Sequence, residues 1–551
     1  MHPLGVVVEH VRKISQEFGV DIDVEKPPEG IDADIALPVG FKLAKILGKK
    51  PAECARLFAR RIRHPYIERA ESVGGYVNIS LQRTSFSSAV IRSATSGELW
   101  TFPRKNARVV IDYSSPNVAK PMHVGHLRST VIGEALKRIY AVLGYDTYGI
   151  NYLGDVGTQF GKLLYALRWA DRKRLEEDPI RELLRVYVKF HKEAEKHPEL
   201  EEEARRIYAE LERGNKEYVR LWKWIRELSI KGFERIYRML GVTFDEISGE
   251  SFYIERAKQL ARHLVEKGIA YVDEDGSIVV DLEEYGLGKD VLLKKDGSTL
   301  YLSRDLAALM DRVERLNPEK LLYVVGSEQK MHFKRLFKLA EALGVNKELV
   351  HVAFGLINLP EGKISTRKGR VIFLEDVLEK AITLAKEQME RRGGVDEADA
   401  RKIGIGAVVY SIMKVEPEKT VEFDWNRVLS FEGETGPYIQ YAAVRARKIL
   451  EKAGEYTYTE KEHINEEEWR IVMDIAWYPT VLERAGRLYT PHIVARYAYN
   501  LARDFHNFYE KHRVIGAPEP EQSFRLGLVD AFYRTLTHAM HLILMEVPGK
   551  M

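Results

Sequence analysis

The sequence predicts an α/β protein built on a doubly wound parallel sheet, with a smaller domain before it and a helical one after it. Three observations predict the sheet. Residues 107–112 (ARVVID) are a β-branched run that gives way to a turn-rich loop and then to Leu127, Val131, Ile132 and Leu136, spaced for a helix. Residues 148–161 (YGINYLGDVGTQFG) repeat the order of strand, glycine-rich turn and helix start. Residues 320–325 form a third apolar run, again followed by a loop. Strands that alternate with helices join a parallel sheet, and ligands bind outside the carboxyl ends of its strands.

Length and composition bound the rest. A chain of 551 residues holds three or four domains at roughly 150 residues each. Hydrophobic residues make up 45% and charged residues 30%, an ordinary globular balance without any run long enough to span a membrane. The opening MHPLGVVVEHVRKISQEFG lacks the basic region and the small-residue site of a secretory signal. One cysteine, Cys54, excludes an internal disulfide framework and a multi-cysteine zinc site, so a cytoplasmic protein is expected. The net charge of +3 gives no global argument for a nucleic-acid partner, and local basic faces would have to carry one.

In chain order, residues up to about 105 read as an α+β module. It has a helical stretch at 51–64, bearing Arg56, Arg60, Arg61 and Arg63, and a strand at 74–81. The main sheet opens at 107. Residues 164–240 read as an almost continuously helical insertion with long charged faces, and a strand pair near 270–282 returns the chain to the sheet. The second half of the nucleotide fold runs over residues 290–376. Beyond 381 the chain reads as helical to Met551, except for KIGIGAVVYSIM (402–413), which reads as a strand.

The chemistry lies at the turns. His123, Gly125 and His126 fall in the first turn of the helix after the first strand, where free amides and the helix dipole favour anions, and two imidazoles there can donate to a polyphosphate. Gly125 leaves room for a ring. Capping or core histidines are the plainer alternative. Asp112 puts an unpaired carboxylate at the carboxyl end of a buried strand, and Tyr301 and Asp305, spaced i, i+4, share a face of a short helix. Asp305 could equally be a surface partner of Arg304. PEGKISTRKGR (360–370) is a glycine-flanked basic loop, or simply a basic turn. Tyr438, Tyr441 and Arg445 make one helical stripe, which by default is core.

Taken together, these blocks resemble a known family. SSPNVAKPMHVGHLRST is similar to the HIGH region of class I aminoacyl-tRNA synthetases, and most similar to that of the arginyl-tRNA synthetases. The block at 148–161 resembles the family's NxxGDWGTQFG, with Val156 in place of the tryptophan. KISTR resembles the KMSKS loop with Thr366 in place of the second lysine, a charge that Lys120 can supply from the opposite wall. Residues 430–450 and 505–516 resemble the family's anticodon-binding bundle.

The resemblance implies a class I Rossmann-like catalytic domain at about 106–380, with its insertion at about 164–290. A connecting stem at about 381–425 and an all-α anticodon-binding domain at about 426–551 would follow. It implies arginine, ATP with Mg²⁺ and tRNA(Arg) as substrates, no structural metal, no membrane and a monomer. His123, His126, Lys120 and Lys363 would be catalytic, and the ATP set would add Gly125, Ser365 and Arg367. Asp112, Ser115, Asn117, His123, Tyr301, Asp305 and Gln329 would hold arginine. Tyr76, Asn78, Tyr438, Tyr441, Arg445, Tyr509 and Met551 would touch tRNA. Rival readings are a class I synthetase for another amino acid such as lysine, a non-catalytic RNA-binding relative, and an HxGH nucleotidyltransferase that uses no RNA.

Overall fold

The computed structural model describes residues 2–28, 30–358, 373–391, 394 and 396–551. The amino-terminal module contains α1 (Pro3–Glu17), β1 (Ile35–Leu37), α2 (Val39–Leu47), α3 (Pro51–Ala59), β2 (Ile67–Val73) and β3 (Tyr76–Leu81). Its antiparallel sheet has the order β1-β3-β2. Strand β3 alternates cleanly, burying Val77, Ile79 and Leu81 while Tyr76, Asn78 and Ser80 share the other face. The basic helix ends at Ala59, short of the expected 64. α4 (Arg83–Ser96) leads out of the module.

The main sheet opens with β4 (Arg108–Asp112), α5 (Val124–Val142) and β5 (Asp146–Leu153). The insertion follows as α6 (Gln159–Ala166), α7 (Arg172–Glu177), α8 (Pro179–Ala194), α9 (Glu199–Glu212) and α10 (Lys216–Leu240). β6 (Glu246–Gly249) and α11 (Ile254–Glu266) precede an antiparallel meander of β7 (Ala270–Val272), β8 (Ile278–Asp281) and β9 (Lys289–Leu293). α12 (Tyr301–Leu316), β10 (Lys320–Gly326), α13 (Lys330–Ala342) and β11 (Glu348–Phe354) complete the nucleotide fold. The five strands are all parallel, in the order β11-β10-β4-β5-β6. The chain therefore winds outward from β4 first one way and then the other, which opens a crevice between the loops after β4 and β10. Valines and isoleucines of β4 are wholly buried, as a strand covered on both faces requires.

A short parallel pair, β12 (Ile357–Asn358) and β13 (Val421–Glu422), links the sheet to the helical region. That region comprises α14 (Leu374–Arg391), α15 (Glu397–Met413), α16 (Trp425–Val428), α17 (Gly436–Ala453), α18 (Glu466–Arg487), α19 (His492–Lys511) and α20 (Glu521–Leu542). Residues 402–413 lie inside α15, so the expected strand is a helix. Such an apolar run suits either element, and this helix, buried on nearly all sides, shows no polar face to tell them apart. Its glycines serve packing: a Cβ on Gly404 would come within 2.7 Å of the backbone of Ala381 and Ile382. The amino-terminal module is fastened to the bundle by Lys26 on Asp474 (2.8 Å) and by the Trp469 indole N–H on Asp34 (2.7 Å).

Candidate active site and RNA-contact surfaces

The loop after β4 is held in a costly conformation. Ser114, Ser115 and Ala119 have φ of 73°, 47° and 62°, a region that side chains disfavour. Neighbours on several elements impose it. The Ser114 amide donates to Ser129 Oγ (2.9 Å), the Ser115 amide to Asn151 Oδ1 (3.2 Å), and the Ala119 amide to Ser229 Oγ (3.0 Å). The Tyr237 hydroxyl bonds Ser114 Oγ (2.8 Å) and accepts from Asn151 Nδ2 (3.0 Å). Ser229 and Tyr237 belong to α10, so the last helix of the insertion shapes the loop.

His123 caps α5, and each of the two imidazoles accepts from a backbone amide of this turn. The Gly125 amide donates to His123 Nδ1 and the His123 amide to His126 Nδ1, both at 3.1 Å, with ring centroids 4.0 Å apart. Each Nδ1 is thus an acceptor, which leaves the hydrogen of a neutral ring on Nε2, free to donate. Burial lowers the proton affinity of His123, while burial, His123 and the nearby Lys120 lower that of His126 further. Two neutral donors therefore stand at a helix start, with Lys120 beside them. Arg128, wholly buried on the same helix, donates to the carbonyls of Gly355 (2.7 Å) and Glu416 (3.0 Å) and ties α5 to the end of β11 and to the segment between α15 and β13.

Across the crevice lies an acid-rich pocket. The expectation that Asp112 is unpaired is corrected: its Oδ2 meets Arg312 Nη1 at 2.8 Å, and Oδ1 accepts from Ser115 Oγ at 2.9 Å. A buried carboxylate without a cation would be too costly, and Arg312, 1% exposed, is that cation. Burial still pushes the Asp112 carboxyl upward against the pull of Arg312. Asp305 bonds His332 Nε2 (2.7 Å) rather than neighbouring Arg304, whose guanidinium binds Glu250 (2.8 Å). Burial raises the Glu250 carboxyl from 4.5 to about 7, with Arg304 opposing and Asp305 adding to the rise. Tyr301 begins a 16-residue helix rather than a short one, and its ring lies 5.0 Å from the Arg304 guanidinium.

Glu250, Arg304, Arg312 and His332 were not expected at the site. The signal for Arg312 was present: Tyr301, Asp305 and Arg312 fall on one stripe of α12. Asn117 is exposed, its Oδ1 in the space that a Cβ on Gly154 would need, and Gln329 is exposed just after β10. Lys363, Ser365 and Arg367 lie outside the described residues. Among the described residues no group of three or more His, Cys, Asp or Glu side chains could hold a metal ion.

The other sequence-predicted residues form two further surfaces. Tyr76 and Asn78 share the outer face of β3, where the Tyr76 ring meets Phe41 edge-on at 5.4 Å. In the bundle, Arg445 donates to the Tyr441 hydroxyl (2.8 Å) and lies 4.5 Å from the Tyr441 ring and 4.3 Å from that of Tyr509. Tyr438 packs on His506 at 4.7 Å. The tail before Met551 takes another route. Gln440 donates to the Glu546 carbonyl and Arg447 to that of Pro548, both at 2.9 Å, about a third of a turn round α17 from Tyr441 and Arg445.

Residues 93–425 match the family described as tRNA synthetases class I (R), catalytic domain. Residues 439–551 match the DALR anticodon binding domain, and residues 6–81 the arginyl tRNA synthetase N terminal domain. The arginine–tRNA ligase of Halothermothrix orenii is 40% identical over 98% of both chains. The chain belongs to the arginine–tRNA ligase family. Within that family, the ligase of Clostridium acetobutylicum is 40% identical over 99% of each chain. The solved Thermus thermophilus arginyl-tRNA synthetase superposes with a TM-score of 0.85 at 27% identity, covering 98% of this chain and 99% of its own. The Plasmodium falciparum enzyme shares the fold, at a TM-score of 0.81 and 22% identity over 99% and 98% of the two chains.

Proposed function

We propose that this chain joins arginine to tRNA(Arg) in two steps, and the observation that carries the reading is the pairing of a neutral two-imidazole phosphate cradle with an acid-rich pocket across one crevice. In the first step an arginine carboxylate oxygen attacks the α-phosphorus of ATP and the bond to pyrophosphate breaks. In the second a hydroxyl of the terminal ribose attacks the carbonyl of the adenylate and AMP leaves.

His123 and His126 donate their Nε2–H groups to phosphate oxygens, and Lys120 adds positive charge as charge builds up on the leaving group. Lys363, Ser365 and Arg367 are assigned the opposite wall. Asp305 and Tyr301 face the guanidinium, and Asp112 with Ser115 orders the pocket floor, its charge balanced by Arg312. Asn117 and Gln329 hold the α-amino and carboxylate groups. Mg²⁺ arrives with ATP as part of that substrate. Tyr76 and Asn78 meet the tRNA body, and Tyr438, Tyr441, Arg445, Tyr509 and Met551 its anticodon region. In this reading the protein works as a cytoplasmic monomer, which sedimentation of the purified chain would check.

The test is attachment of labelled amino acids to total tRNA, one amino acid at a time. Arginine alone should be incorporated, and exchange of labelled pyrophosphate into ATP should require arginine and rise when tRNA is added. Incorporation of lysine, or of no amino acid, would overturn the assignment.

A further inference from the structure

Phe252 is 62% exposed, yet its ring is fixed from below. The Arg226 guanidinium lies 5.1 Å from the ring centroid, and Arg226 is itself held by Asp155 Oδ2 (3.2 Å) and the Ser248 carbonyl (3.4 Å). Asp155, buried, also accepts from the amide and hydroxyl of Ser251 at 2.8 Å each, which locks the backbone just before Phe252. Gly249 permits this approach, since a Cβ there would stand 2.3 Å from Asp155 Oδ2. A phenyl ring with a cation on one face and solvent on the other is an open stacking surface.

Its position says what could stack there. Phe252 is two residues beyond Glu250, and the Arg304 guanidinium that pairs with Glu250 underlies the exposed Tyr301 ring, so Phe252 stands at the rim of the acid-rich pocket. It follows β6, at the edge of the sheet away from β10 and β11. In the two-step reading the phosphates of ATP go to the start of α5 and its base to the crevice between the loops after β4 and β10. The ring therefore remains for a base that arrives from outside. α10, which supplies Arg226, also shows Arg220, Lys223, Trp224 and Lys231 to solvent, with Glu217, Glu227 and Glu234 exposed along the same helix. Those cations give a nucleic-acid backbone a path toward the rim.

We propose that Phe252, backed by Arg226, is the stacking platform for the last nucleobase at the 3′ end of tRNA, and that it orients the terminal ribose toward the adenylate. This rests on the two-step reading above, because transfer needs that ribose at the pocket rim.

The test compares the wild-type chain, Phe252→Ala and Phe252→Trp with intact tRNA and with tRNA shortened by its last nucleotide. Wild type should bind the intact tRNA about tenfold more tightly than the shortened one, Phe252→Ala should bind the two alike, and Phe252→Trp should restore the preference. The arginylation rate constant of Phe252→Ala should fall by about tenfold or more and return in Phe252→Trp. An arginine-induced rise in Tm shows that the alanine variant keeps its pocket, and loss of that rise would count against the proposal. A preference for intact tRNA that survives in Phe252→Ala, or an equal loss of affinity for both tRNAs, would overturn it. If the wild-type chain charges no tRNA with arginine, the underlying reading fails instead.

Discussion

The two walls of the crevice handle charge in opposite ways. On the phosphate wall His123 and His126 are kept neutral, and backbone amides dictate which ring nitrogen carries hydrogen. On the amino-acid wall the carboxylates are retained, each tied to a cation or a histidine of the protein: Asp112 to Arg312, Glu250 to Arg304, Asp305 to His332. A donor built from neutral rings avoids the larger cost of burying a charge. A pocket of buried acids must be stabilised before the ligand arrives, and its selectivity lies in how firmly those acids are already held.

The sharpest way to break this contrast is to remove one internal cation. Arg312→Met leaves Asp112 buried without its cation and should destabilise the protein by about 3–5 kcal/mol in denaturant melts, whereas Arg312→Met with Asp112→Leu should recover much of it. If the single variant costs less than the double, the pair is not a unit. On the other wall, His126→Ala should lower pyrophosphate exchange by about 10²–10³ while arginine affinity, measured by calorimetry, holds. Parallel losses in both would mean that the two walls are not separate.

A smaller effect is expected far from the crevice. Arg445→Ala should raise the KM for tRNA by about tenfold without altering the ATP requirement, as the loss of one stacked base would. An unchanged KM at physiological salt would make the stripe core packing. The smallest effect is a proton. Glu250 is raised from 4.5 to about 7 in the folded chain, so it holds a proton that the unfolded chain gives up; its contribution favours folding at low pH and is lost as pH rises through about 7. A guanidinium beside it would pull that value down. Arginine binding near neutral pH should then release a fraction of a proton and tighten as pH rises, seen in calorimetry across buffers of different ionisation enthalpy. Glu250→Gln should abolish the release, and release that persists would assign the proton to another group.

Much of this was legible in the sequence where local pattern and chemistry coincide. The strand into Asp112, the capping histidines and the partition into sheet, insertion and bundle all follow from periodicity and turn residues. Three things were not. In α15, burial on nearly all sides erases the period that tells a helix from a strand. The partner of Asp112 is 200 positions later in the chain, and only the parallel pairing of β4 with β10 brings α12 over it. The tail before Met551 runs about a third of a turn round α17 from Tyr441 because Gln440 and Arg447 hold it there, a preference that spacing alone does not encode.

The bonds from Ser229 and Tyr237 to the loop before His123 bear on how such a protein can be divided. An excised nucleotide fold without the insertion would bury the Ala119 amide and the Ser114 hydroxyl with fewer partners, and the left-handed residues of that loop would relax. The insertion is thus no detachable ornament. Shortening α10, or grafting in a helix without hydroxyls at those two positions, should turn an ordered loop into a heterogeneous one, so any minimal catalytic fragment must carry α10 with it.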